Sequence, residues 1–290
     1  MKHFSVRFLL LISVMILGSC NFKTKQKQEA TQKPNIVFIY VDDLGYADVG
    51  AYGAVGVSTP NVDDLVINGL KFTDAHCSAA TCTPSRFSLL TGTYAFRNKA
   101  AILPGDAPLL IRPGTPTLAS MLKSEGYATA VVGKWHLGVQ EKFHPNNRGF
   151  ETFYGILTAT TDYIDPTSDK AKYWVPVYEG YHFPDPYKDS PWLGRGDQAV
   201  MRDKVVIEEH DYLTEAFTRE AVNFIDRNSD KPFFLYLPYL AAHGPLQVTE
   251  KYYDRFPHIK DEASRIQAAM ISALDDGIGQ VNDALKRNGI

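Results

Sequence analysis

The chain has 290 residues with 44% apolar and 12% aromatic content, enough to bury a sizeable core. A formal net charge of −3 with no basic stripe argues against a nucleic-acid-binding protein. Three cysteines are too few for a disulfide scaffold.

In chain order, Lys2, His3 and Arg7 precede an apolar run from Phe8 to Leu17 and then Gly18-Ser19-Cys20. This is the pattern of an export signal, short for a membrane span. Leu17-Gly18-Ser19-Cys20 resembles a bacterial lipobox, which would make Cys20 a lipidated N-terminus. The polar stretch Asn21 to Lys33 has no apolar face and reads as a tether. The expectation is a signal over 1–20, a tether over 21–33 and a globular body over 34–290, exported and lipid-anchored at a bacterial membrane, in the periplasm or at the cell surface.

Ile36 to Val41 is a continuous apolar run, the pattern of a strand buried on both faces of a parallel sheet, and it ends in Asp42-Asp43-Leu44-Gly45. Two adjacent acids at the carboxyl end of such a strand lie where open α/β sheets bind ligands, and a hard cation with oxygen ligands would relieve their repulsion. A turn with one acid capping the next segment is the other reading. Thr59, as cap, and Pro60 open a short helix running to Gly69, with Asp63 and Asp64 structural at its start. Phe72 to Ala75 reads as a short strand leading to a loop that holds His76, itself read as a loop or core residue. With Cys20 acylated and Cys82 oxidised, Cys77 would be left unpaired; a Cys77–Cys82 disulfide is also open to an exported chain.

Cys82-Thr83-Pro84-Ser85-Arg86 follows, continued by Phe87 to Gly92. Pro84 and Ser85 mark a helix start, so Cys82 would precede a helix N-terminus, where unpaired N–H groups favour negative charge and activate a thiol. Arg86 lies one turn on, close enough to share an anion with position 82. Thr117 to Glu125 is a short helix, and Ala128 to Val132 a second buried strand. Lys134 and His136 come next, two apart, and on an extended backbone would point the same way. Thr158 to Gln198 is aromatic and polar without a period and reads as loops over the ligand-binding edge. Tyr212 to Asn228 is an amphipathic helix, Pro232 to Leu237 a third buried strand, and His243 falls after its carboxyl end. Ala263 to Arg287 is a long helix.

The string Cys82-Thr83-Pro84-Ser85-Arg86 with Leu90-Thr91-Gly92 resembles the signature of the type I sulfatases, and Gly133-Lys134-Trp135-His136-Leu137-Gly138 resembles a second one. The resemblance spans Pro34 to Ile290. It implies the doubly wound, mostly parallel α/β fold of the alkaline phosphatase superfamily. It also implies that a maturase oxidises Cys82 to formylglycine (3-oxoalanine), whose hydrate is the nucleophile on the sulfate ester, and that calcium is bound by Asp42, Asp43 and position 82. By the same resemblance Lys134 contacts sulfate, His136 bonds the nucleophile, and His243 contacts sulfate and protonates the leaving alcohol; Arg86 completes the set.

Family members continue beyond the position of Ile290 with a strand ending in Asp-Asn or Asp-His and a later active-site Lys. The expectation is therefore a C-terminally truncated fold whose calcium site is short of oxygens, since Ca2+ takes about six to eight. The function expected is release of sulfate from a sulfated carbohydrate or aryl sulfate. A phosphonate or phosphate ester hydrolase of the same superfamily and a non-catalytic glycan-binding lipoprotein are the alternatives.

Overall fold

The computed structural model describes residues 33–99, 101, 111–165, 168–174 and 199–290. The signal, Cys20 and the tether up to residue 32 fall outside them, as does most of the aromatic stretch ending at Gln198.

The strands are β1 (Ile36–Val41), β2 (Ala128–Lys134), β3 (Thr152–Ile156), β4 (Ala171–Trp174), β5 (Met201–Arg202), β6 (Val205–Val206), β7 (Phe233–Tyr239) and β8 (Leu246–Thr249). The main sheet runs β1-β7-β2-β3-β5-β6. Its first four strands are parallel, with Ile36 opposite Phe234, Ala128 opposite Phe233 and Val132 opposite Tyr154. β5 and β6 continue it antiparallel, and β4 pairs antiparallel with β8 in a separate ribbon.

The helices are α1 (Pro60–Asn68), α2 (Cys82–Thr91), α3 (Leu118–Ser124), α4 (Leu213–Asn228), α5 (Glu250–Tyr253) and α6 (Glu262–Arg287). Strand side chains alternate between faces, and the core divides accordingly. Ala130, Val132, Leu235 and Leu237 join α4 and α6 on one side. Val131, Phe153, Phe234 and Tyr236 join α2 and α3 on the other. The doubly wound, mostly parallel α/β architecture expected from the sequence is thus present.

β2 and β7 are buried throughout, as continuous apolar runs between parallel neighbours should be. β1 is half-buried along its whole length, because among the described residues it has one strand neighbour, β7. Two expectations are corrected. Phe72 to Ala75 is no strand: the segment is exposed, Phe72 to 63%, and nothing pairs with it in the described sheet. Thr59 occupies the N-cap position of α1 without capping it by its side chain. Its Oγ1 takes the Gly50 N–H at 2.8 Å and donates to Asp63, while Asp275 of α6 accepts from the backbone of Asn61 and Val62.

Candidate active site

Because β1, β2 and β7 are parallel, the residues that follow them emerge at one sheet edge. Asp42 follows β1, Lys134 ends β2 and His243 lies four residues past β7. Asp42 and Lys134 form a buried ion pair through Asp42 Oδ2 and Lys134 Nζ. Gly133 makes the close approach of β2 to β7 possible: its φ is 131°, and a Cβ there would stand 2.0 Å from the Pro238 carbonyl oxygen.

Cys82 is the first residue of α2, half-buried and a free thiol. The helix thus starts two residues before Pro84, after extended Thr81, and the thiol stands on its first turn instead of ahead of it. Arg86, fully buried, is one turn further on. Its Nη1 donates to the Lys134 carbonyl at 2.7 Å, its Nη2 stands 3.4 Å from Asp42 Oδ1, and its guanidinium lies over the Tyr40 ring. Arg86 therefore ties α2 to the carboxyl ends of β1 and β2. Behind it, the Tyr40 hydroxyl bonds Ser85 and stands 3.8 Å from the Cys77 sulfur.

The electrostatics follow from this packing. Burial pushes the Asp42 carboxyl up, but Arg86, Lys134 and, further off, His243 outweigh it and hold the group below its ordinary range. Burial lowers Lys134, with Asp42 opposing, Arg86 adding to the fall, and Cys82 near enough to act on it through its charge.

Asp43 behaves differently from Asp42. It has a φ of 56°, in the left-handed region, and its carboxylate is 67% exposed with Oδ2 3.8 Å from His243 Nε2. His243 Nδ1 donates to the Gly244 carbonyl at 2.6 Å, which leaves Nε2 as the nitrogen facing Asp43. His136 is buried and also left-handed, with a φ of 52°. The period-two rule that predicts a shared direction for Lys134 and His136 therefore stops at Trp135, where the strand backbone ends. His76 is an exposed loop residue paired with Asp74 at 2.6 Å.

The calcium set inferred from the resemblance is Asp42, Asp43 and Cys82. Both Asp42 oxygens already face cationic side chains, and Asp43 turns to solvent and His243. Among the described residues no three His, Cys, Asp or Glu side chains converge as a metal cage. These residues alone do not fit the ion: Lys134 and Arg86 supply the positive charge that two adjacent acids require.

Residues that sequence reasoning missed are Tyr163 and Gln247, both fully buried. Tyr163 Oη donates to the His243 carbonyl at 2.8 Å, and Gln247 Oε1 accepts the Tyr163 N–H at 2.7 Å. Tyr163 lies in an aromatic stretch without a period, so nothing in its spacing marks it.

The sulfatase family model matches residues 34–290, and the chain belongs to that family. It is 32% identical over 333 residues to an N-acetylgalactosamine-6-O-sulfatase of Bacteroides thetaiotaomicron, covering 98% of this chain and 62% of the relative. It is 34% identical over 304 residues to arylsulfatase G of Mus musculus, covering 94% of this chain and 54% of that protein. Ps i-CgsB, solved alone and in complex with k-i-k-neocarrahexaose, superposes with a TM-score of 0.76 at 35% identity, over 89% of this chain and 56% of that one. The chain thus spans between about half and three-fifths of the length of these relatives.

Proposed function

We propose that this chain carries the nucleophile end of a sulfuric ester hydrolase that releases inorganic sulfate from a sulfated carbohydrate. The observation that carries the reading is the junction of Arg86, Lys134 and Asp42 at the carboxyl edge of parallel strands, one turn of helix from the half-buried Cys82 thiol. The relatives support the carbohydrate class. One is named for N-acetylgalactosamine 6-sulfate, and a solved relative holds a neocarrahexaose.

Cys82 fits the modification that the family uses: a free, half-buried thiol on the first turn of a helix whose N–H groups favour an anion. Formylglycine there would supply the oxygen nucleophile for sulfur. Lys134 Nζ and the Arg86 guanidinium provide positive charge against which sulfate oxygens are held. His136 would orient the hydroxyl at position 82. His243, with Nδ1–H committed to the Gly244 carbonyl, has Nε2 to hold the proton needed by the leaving alcohol oxygen. The family's calcium would need oxygen donors beyond those the described residues gather. A maturase acting on Cys82 and a lipid anchor at Cys20, placing the enzyme at the periplasm or cell surface, belong to the same reading.

The test is co-expression with a formylglycine-generating maturase. The mass of the peptide containing position 82 is read first, then sulfate release from N-acetylgalactosamine 6-sulfate and from carrageenan oligosaccharides. Oxidised Cys82 with sulfate release that Cys82→Ala abolishes is the expected result. Faster turnover of an aryl phosphate than of the aryl sulfate would overturn it.

A further inference from the structure

The reading of His243 as the proton donor leaves open what holds it, because it sits in an irregular segment between β7 and β8. Two donors from one loop fasten that segment. Thr160 Oγ1 donates to the Gly244 carbonyl at 2.7 Å, the same oxygen that takes His243 Nδ1–H. Tyr163 Oη donates to the carbonyl of His243 itself at 2.8 Å.

Tyr163 is in turn pinned from both sides of its backbone. Its N–H donates to Gln247 Oε1 at 2.7 Å, and its carbonyl accepts the Leu213 N–H at the start of α4 at 2.8 Å. Gln247 Nε2 donates to Asp162 Oδ1 at 3.0 Å, closing a buried ring that links the 160–163 loop to β8. The Tyr163 ring packs against Tyr212, with centroids 5.9 Å apart. Burial, aided by nearby Tyr212, Asp42 and Asp43, holds the phenol well above its ordinary value, so it remains a donor wherever the enzyme would work. A fully buried, polar ring of this kind costs more to leave partly satisfied than to omit, so its presence beside a site residue needs a reason.

We propose that Tyr163, braced by Gln247, is a positioning residue for His243: it fixes the His243 backbone so that Nδ1–H stays on the Gly244 carbonyl and Nε2 faces the scissile oxygen. The inference rests on the sulfatase reading. As the bond from sulfur to the alcohol oxygen breaks, its electron pair leaves with that oxygen. The proton on Nε2 passes to it, and the imidazole becomes neutral with its remaining proton on Nδ1. If the His243 backbone rotates, Gly244 no longer selects that tautomer and the donor is misplaced.

The experiment compares wild type, Tyr163→Phe and Thr160→Val in matured protein. The first readout is turnover of a sugar sulfate, whose alkoxide leaving group needs a proton, against 4-nitrophenyl sulfate, whose leaving group hardly does. Tyr163→Phe should lose roughly ten-fold in kcat on the sugar sulfate, part of the ~10²–10⁴-fold that a positioned acid supplies. It should change little on the nitrophenyl ester and leave KM unaltered on both. Equal losses on both substrates, or a loss confined to KM, would overturn the proposal. The second readout needs no turnover: 15N spectra of the imidazoles at alkaline pH, with His243→Gln identifying the resonance. The Nδ1–H tautomer should dominate in wild type and give way to a mixture in Tyr163→Phe. An unchanged tautomer sinks the proposal. If wild type releases no sulfate at all, the sulfatase reading fails and the spectra alone decide whether the clamp exists. Thr160→Val, which removes the half-buried donor to the Gly244 carbonyl and spares the buried ring, should show the same trend if Tyr163→Phe folds poorly.

Discussion

The Asp42–Lys134 pair is buried at the carboxyl edge of the parallel strands, so a substitution there reads out on the fold as well as on the proposed chemistry. Lys134 is fully buried, and Asp42 has Arg86 as its other cationic neighbour. Removing one member of a buried ion pair leaves an uncompensated charge, at about 3–5 kcal/mol. Lys134→Met should therefore destabilise the chain by about 3 kcal/mol in urea denaturation, the low end because Arg86 remains, and should abolish sulfate release. The double variant Lys134→Met/Asp42→Asn should recover part of the stability and none of the activity. A single variant within about 1 kcal/mol of wild type would show that Arg86 alone satisfies Asp42. Asp42, Lys134 and His243 were legible in the sequence because each follows an apolar run at a strand's carboxyl end. Two relations were not legible. The left-handed turns at Asp43 and His136 break the alternation on which a direction from spacing depends. Tyr163 reaches His243 across eighty residues of sequence.

Helices are more legible in this sequence than strands, as α4, α6 and β3 show. A helix carries its own period and caps, so α4 and α6 begin within a residue or so of their expected starts. β3 (Thr-Phe-Tyr-Gly-Ile) is five residues interrupted by a glycine, and its burial comes from β2 and β5 alongside and from the core on either face. The cap of α1 is not legible locally, because the group that makes it comes from α6, more than two hundred residues away. Asp275, buried to 2% exposure, accepts from the Asn61 N–H at 3.2 Å, the Asn61 side-chain amide at 2.9 Å and the Val62 N–H at 2.9 Å. Gly279, one turn along α6, leaves room for the Asn61 side chain, since a Cβ there would lie 2.5 Å from Asn61 Oδ1. Asp275→Ala strands two backbone donors at the helix start and should cost about 2 kcal/mol in denaturant unfolding. Asp275→Asn, which keeps one acceptor oxygen, should cost about half as much. A loss for Asp275→Ala no larger than that of an exposed helix residue would mean that water replaces the carboxylate.

Across the whole molecule, acid stability should depend on a carboxylate network at the antiparallel margin of the sheet. Glu209 accepts from Arg219 Nη2 at 2.7 Å, from the Asp211 N–H at 2.9 Å and from the Tyr154 hydroxyl on β3. Glu220 of α4 accepts from Arg202 of β5 at 2.8 Å, so the pairs bind the antiparallel margin of the sheet to the helix that covers it. Burial pushes both carboxyls up, but the hydrogen bonds and charges outweigh it and hold both below their ordinary value of 4.5. The unfolded chain then binds more protons than the folded one between the lowered values and 4.5. Their contribution to stability is complete above 4.5 and is lost as the pH falls through the folded values. The urea midpoint should accordingly be steady from neutrality to about pH 5 and fall steeply below it. Glu209→Gln/Glu220→Gln should be less stable at neutral pH and should flatten that fall. A double variant with the wild-type slope would place the acid-sensitive groups elsewhere, and the buried Asp42 pair at the sheet's other end would then be the next to test.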